Sequence, residues 1–532
     1  MPLSQGTGVA YQMIKYAIAM AATVVVAPPA VAADNWFEAK SDHFIVYSEG
    51  KKDDATKLAV SLERLDNALR MIRGMSTVSE PVPDPVKLTV FQFGETSDIA
   101  QLYGNSRSGV AGFFIPRAGR SVAFVPLRPD RDRGAVGTRN ANGGDIDPAK
   151  VLFHEYTHYF MFQNAAAAYP FWYTEGFAEL FGTLELTDNG FNLGEPPSHR
   201  ADTLRYLTIN VRKLFDPPKE ADMFMVMKQY AYGWMAASYL SFEPARKGQL
   251  ADYLKRINAG EANLVAAENA FGDLDKLQKD FEAYKKGRAR AISVTYANYA
   301  PPAVAVRSLP ADEAAQMRMH IRSSRGVSER SAGGLVGTAR ALVAQHPVSV
   351  PVLLAATEAE FDAKNYEQSE MLAKRALAVD PNSVGAHLYL AHVALMRAKD
   401  DPAQFKVARD RYVAANKADP NQPEALAGYY LSYELAGETA PEDALVALDR
   451  AYDLAPFDSG IRTTLAHRLL LESRDKEALI LIGPIVNDPH NGKRAEEYRK
   501  LLEQLKAGDR DALITKLAPK IDRGDGDEEG DD

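Results

Sequence analysis

An α+β domain over residues 34–300, followed by an all-α stack of helical pairs over residues 335–520, is the fold class the sequence predicts. Three observations carry it. Short aromatic and β-branched runs punctuate residues 43–127, around one strongly periodic helix. Two neighbouring apolar segments, about 148–164 and 172–183, hold a few polar residues at helical spacing. From about residue 335 the chain turns Ala- and Leu-rich, and helix-length segments closed by proline recur.

Residues 1–33 read as a secretory leader. Lys15 is the only charge before an apolar run from Tyr16 to Ala27. Pro28 and Pro29 break the run, and Ala30-Val31-Ala32-Ala33 offers small residues for cleavage. The run is shorter than the about 20 residues a membrane helix needs. The expectation is an exported chain, periplasmic or secreted, with no stable membrane span after cleavage. HFIVY (43–47) is a strand, and residues 53–73 form a helix that stops at Gly74. A Pro-rich link leads into VKLTVFQF (86–93); GVAGFFIP (109–116) and SVAFVPL (121–127) are two further strands. Residues 128–146 are polar and rich in Gly, Asp and Arg, hence loop. Asp147-Pro148 is a helix start, Asp as cap and Pro at the first helical position. Helices follow over 201–258 and 271–287, and Pro301-Pro302 opens a linker to residue 334. The end, 521–532, is acidic and Gly-rich and predicts a disordered tail.

Composition removes several functions. The chain has 532 residues, 46% hydrophobic and 25% charged, as ordinary globular proteins do. A net charge of -9 argues against nucleic acid, whose binders show a basic footprint. No cysteine is present, so thiol catalysis, disulfides and cysteine-held zinc are excluded. A metal would have to be held by His and carboxylates.

Such a set exists. His154-Glu155-Tyr156-Thr157-His158 is H-E-x-x-H. On a helix, positions four apart share a face, so two imidazoles can meet one zinc ion (Zn2+). Glu155, beside them, is placed to take a proton from a water at the open position. The flanks Val151-Leu152-Phe153 and Tyr159-Phe160-Met161-Phe162 bury this helix. Two histidines and a glutamate there need compensation, and a shared metal provides it. A third ligand is required. The arrangement with a Gly three residues and a His six residues after the motif fails, because Met161 and Asn164 stand there. The arrangement with a Glu on the next helix is met by Glu175 in FWYTEGFAE (171–179). Glu179, one turn on, can accept the free ring N–H of a ligand histidine.

HEYTH followed by WYTEGFAEL resembles the peptidase-MA-like gluzincins, zinc metallopeptidases with a W-x-x-E-G-x-A segment. The strand-rich start resembles an uncharacterised bacterial branch of that group, and the resemblance spans about residues 36–290. It implies a zincin-like fold with a small mixed sheet on the active-site helix. It also implies an edge strand pairing with the peptide substrate, for which residues 121–127 are the choice. A downstream oxyanion donor is a further implication. Tyr230 is favoured over Tyr232, both in QYAYGW, and His199 is a lesser candidate. The G-x-M-E-N motif of the large zinc aminopeptidases is absent. Segments 366–382, 407–425 and 441–458 resemble tetratricopeptide repeats, about four pairs between 349 and 490. The expectation is an exported zinc peptidase whose repeats recruit protein substrates or partners. The alternative is a non-catalytic, repeat-type binding scaffold with a vestigial or structural zinc site.

Overall fold

In the computed structural model the described residues are 35–77, 81–104, 110, 112–128, 148–164, 169–218, 222–287, 291–297, 299–486 and 492–521. The leader, most of the polar loop, Asp147 and nearly all of the acidic tail lie outside them. The chain is mixed α+β, with an N-terminal sheet domain and a C-terminal all-helical region.

The sheet domain begins β1 (Phe37–Lys40), β2 (Phe44–Ser48), α1 (Lys52–Ile72), β3 (Leu88–Glu95), α2 (Thr96–Tyr103), β4 (Phe113–Ile115) and β5 (Val122–Arg128). Next come α3 (Pro148–Asn164), α4 (Phe171–Gly182) and a β-hairpin, β6 (Glu185–Thr187) with β7 (Gly190–Leu193). Helices α5 (Ala201–Tyr206), α6 (Val211–Phe215), α7 (Met223–Phe242), α8 (Gln249–Asn258), α9 (Asn263–Phe271) and α10 (Leu274–Lys286) pack around α4 and α7. Two strands close the domain, β8 (Ile292–Thr295) on the small hairpin and β9 (Ala305–Ser308) on the main sheet. Helix α2 and the hairpin had no clear sequence signal.

The main sheet has the order β4-β5-β3-β2-β1-β9. Parallel neighbours β2 and β3 are joined through α1, the long crossover that parallel strands require. Alternation along β3 divides its side chains. Leu88 and Val90 join Phe44 and Val46 in the core beneath α1 and α3. Phe91 and Phe93 join Trp36 and Phe124 in a separate core on the other face.

That second core corrects the expected linker at 301–334. The segment holds β9, paired antiparallel with β1, and then α11 (Ala311–Arg325). Ala314, Met317 and Ile321 of α11 bury against Phe91 and Phe124. The Pro301-Pro302 pair marked a boundary, but the far face of the sheet is apolar and this segment covers it. The edge-strand expectation is also corrected. β5 lies inside the sheet, buried from Val122 to Pro126, and the short β4 forms the edge.

α4 and α7 cross at two glycines. A Cβ on Gly176 would overlap the carbonyl of Gly233, and one on Gly233 would overlap the carbonyl of Trp172. Gly176 is the residue after Glu175, so this crossing sets where Glu175 sits. Gly233→Val is expected to lower stability by about 3 kcal/mol or more through overpacking. A thermal melt checks it; an unchanged Tm would mean the helices can separate at no cost.

Beneath α3 lies a buried polar cluster. His43 Nδ1 is 2.8 Å from Glu63, Arg70 is 2.5 Å from Asp66, and the Tyr156 hydroxyl donates to Asp66 at 2.7 Å. Burial works against both charges of the His43–Glu63 pair. Their hydrogen bond and attraction prevail, raising the pKa of His43 and lowering that of Glu63. The His43 contribution to stability is fully present below about pH 6.5 and fades as pH rises through its raised pKa. The Glu63 contribution is fully present above about pH 4.3 and is lost as pH falls through its lowered pKa. His43→Gln should therefore cost most in Tm between these limits and less on either side. Melts at pH 3–9 decide; a penalty flat with pH would show the pair is not ionised.

The helical region is built of successive pairs. α11 pairs with α12 (Glu329–Gln345), α13 (Val350–Asp362) with α14 (Tyr366–Val379), and α15 (Val384–Ala398) with α16 (Gln404–Ala418). α17 (Pro423–Glu434) pairs with α18 (Glu442–Leu454), α19 (Ser459–Leu471) with α20 (Asp475–Val486), and α21 (Gly492–Lys506) with α22 (Asp511–Leu517). Buried alanines such as Ala359, Ala373, Ala391 and Ala408 let the helices approach closely. The region packs on the sheet domain: Phe457 meets Tyr159 of α3, ring centroids 5.0 Å apart. Among the described residues no helix is long and apolar enough to cross a membrane.

Candidate metal centre

α3 is held from behind. Tyr156 reaches Asp66, and the Tyr159 hydroxyl donates to the Val86 carbonyl at 3.0 Å. Phe44 packs on Tyr156 at 4.9 Å between ring centroids. With these large side chains anchored toward the sheet, the helix turns His154 and His158 toward α4.

There they meet Glu175, which is fully buried. The two Nε2 atoms are 3.2 Å apart, and Glu175 Oε2 lies 3.4 Å from His154 Nε2 and 3.5 Å from His158 Nε2. This nearly equilateral triangle passes a simple test. Tetrahedral zinc with arms of about 2.0–2.1 Å has ligand atoms about 3.3–3.4 Å apart. The residues present therefore fit the ion. Among the described residues this is the one group of three or more metal-ligating side chains so gathered. Three protein ligands would leave one position of a bound zinc open, as in catalytic rather than structural zinc sites.

The electrostatics favour a cation. Burial lowers the pKa of His154. The hydrogen bond to Glu175 and the charges of Glu179, Glu155 and Glu175 outweigh it and lift the pKa to about 9. Glu155 is half-buried on α3, within electrostatic reach of both His154 and Tyr230.

Glu179 differs from expectation. Its carboxylate accepts from Arg200 at 2.6 Å and lies 3.1 Å from His199 Nε2. Burial raises its pKa, but His199, Arg200 and His154 together bring it down to about 2. Glu179 acts on His154 through charge, and its hydrogen bonds anchor the loop after β7. His199 is exposed and serves that anchor.

The two tyrosines left open by sequence are now separated. Tyr232 is core: its hydroxyl donates to the Leu207 carbonyl at 2.7 Å and accepts from Lys285 at 2.8 Å. Tyr230 is at the site, its ring nearly parallel to that of His154 at 6.5 Å and edge-on to Phe171 at 5.8 Å. Burial and the neighbouring carboxylates raise its pKa, against the opposing pull of Arg200, so the phenol keeps its proton. Arg200 was missed by sequence reasoning. Its guanidinium lies over the Tyr230 ring, 4.6 Å from the centroid, while also binding Glu179. It stands in a Pro- and Ser-rich loop with no motif spacing, so only the fold could reveal it.

No protein-family model matches this chain, and a search of curated proteins finds no match.

Proposed function

We propose that the chain is a zinc-dependent peptidase of the zincin-like, gluzincin kind, exported by its leader, with a tetratricopeptide-like helical region. The observation that carries this reading is the triangle of His154, His158 and Glu175, spaced as the face of a zinc tetrahedron. Bound zinc would supply Lewis-acid chemistry, making water a better nucleophile and polarising the scissile carbonyl. Glu155 takes the proton that the attacking water gives up and returns it to the leaving amine. Tyr230, protonated and beside His154, donates to the oxygen that gains charge. Arg200 holds the Tyr230 ring and keeps Glu179 ionised.

The substrate class also has a clue. Met223 and Met227 share the face of α7 that carries Tyr230, at helical spacing, and are exposed together with Phe224. An apolar strip leading to the site favours peptides with large apolar side chains near the cut bond.

The test is cleavage of a mixed peptide library by the purified chain, with and without a zinc chelator. Zinc-dependent products are expected; a zinc-loaded chain that cuts nothing overturns the reading. Tyr230→Phe should lower kcat about 10²-fold or more, the cost of losing one oxyanion donor, with KM and zinc content nearly unchanged. A fall in zinc content instead would assign Tyr230 a structural role.

A further inference from the structure

The turn between β4 and β5, residues 116–121, lies against the first helices of successive helical pairs. The Ala118 N–H donates to Asp458 Oδ2 at 2.7 Å; the other oxygen of Asp458 caps α19 through the Ile461 N–H at 2.8 Å. Arg117 donates to the Ser324 carbonyl at the end of α11, 2.6 Å away. Its charge also interacts with Glu358 and Asp362 of α13, Tyr389 of α15 and Glu424 of α17. Arg120 donates to His320 Nε2 at 3.1 Å, and His320 Nδ1 is 3.8 Å from Glu358. Gly119 packs so closely on Glu424 that a Cβ would collide with the carboxylate, which His392 holds at 3.1 Å.

Five helical pairs thus each bring at least one group of their first helix, or its cap, to residues 117–120 of the sheet domain. The charges are complementary. Three carboxylates face two arginines, and Gly119 lets the backbone approach the Glu424 carboxylate, which a Cβ there would push aside. Burial and Glu358 push the Asp362 carboxyl up to about 7, against the pull of Arg117. An acidic surface of this kind is unfavourable without a cationic occupant.

We infer that the inner face of the helical region is a recognition surface for a short arginine-bearing turn, that residues 117–120 are its resident ligand, and that a partner protein presenting such a turn competes for it. Tethering keeps the resident at high effective concentration, so an outside turn binds only when it can outcompete it. Exchange would also act on the sheet edge, because β4 continues directly into this turn and Phe114 packs on Tyr159 of α3, 5.5 Å between rings. This inference stands whether or not the metal site is catalytic.

The probe is a fluorescent, cyclised peptide of residues 113–124, titrated into the full chain. Wild type should bind it weakly. Arg117→Ala, which weakens the resident, should bind it at least about tenfold tighter. Adding Glu358→Gln and Asp362→Asn should remove that gain, and a probe with both arginines changed to Glu should not bind. Hydrogen exchange over residues 113–121 should quicken in Arg117→Ala. Equal binding by wild type and Arg117→Ala, or a gain that survives loss of both carboxylates, overturns the inference. Should Arg117→Ala fail to fold by circular dichroism, Arg120→Ala on its exposed side chain takes its place. No gain from that folded variant overturns the inference equally.

Discussion

Glu155→Gln is expected to reduce peptide hydrolysis by about 10²–10⁴-fold, the contribution of a positioned general acid–base, and to leave zinc binding intact. The loss is about 3–5 kcal/mol of barrier. Gln keeps the size and polarity of Glu but cannot take a proton at neutral pH. Glu155 lies beside His154 on α3, yet the ligand triangle is made by His154, His158 and Glu175. Under the proposed function, holding the metal and moving the proton fall to different residues, and the two can be separated. The measurement pairs initial rates on the best library peptide with zinc content by mass spectrometry. A wild-type rate in Glu155→Gln would remove Glu155 from the chemistry. A loss of zinc along with activity would instead make it part of the metal cage.

Glu175→Ala is expected to weaken zinc binding by more than 100-fold, beyond the 10–100-fold typical of losing an outer-shell partner. Glu175 is fully buried, so its carboxylate has been taken out of water. That burial is favourable only beside a cation. Removing it leaves two histidines, one short of the three protein ligands of a catalytic zinc site. Wild type should carry about one zinc per chain and the variant almost none after dialysis against a weak chelator. Activity should fall with the metal and return in part at high free zinc. Full zinc occupancy in Glu175→Ala would show that some other residue is the third ligand. Gly233→Val makes a useful contrast, because it disturbs the α4–α7 crossing and so displaces Glu175 without altering any ligand.

Much of this was readable from sequence, because it depends on short-range spacing. H-E-x-x-H names two histidines that any helix places on one face, whatever surrounds it. The bounds of α3 follow from Pro148 and the apolar run behind it. The helical pairs announce themselves by alanines and closing prolines every few turns. Tyr230 and Tyr232 could not be told apart by such means. They are two positions apart on α7, so they point to opposite sides, and only the crossing at Gly176 and Gly233 decides which side faces His154, His158 and Glu175.

What required the tertiary structure is everything built from distant residues. Arg200 reaches Tyr230 and Glu179 only because the loop after β7 folds back over α4. The segment at 301–334 looked like a linker by its prolines, yet the sheet's exposed edge and apolar far face draw it in as β9 and α11. β5 appeared to be the edge, but a three-residue strand pairs outside it. The helical region meets residues 117 and 118 across more than two hundred positions of sequence. Local sequence determined the paired histidines, the helices and their periods, since these are set by neighbours a few residues apart. The place of Glu175 beside the two histidines, of Tyr230 beside His154 and of residues 117–120 against the helical pairs was decided by packing, since burial and charge pairing act between groups that only the fold brings together.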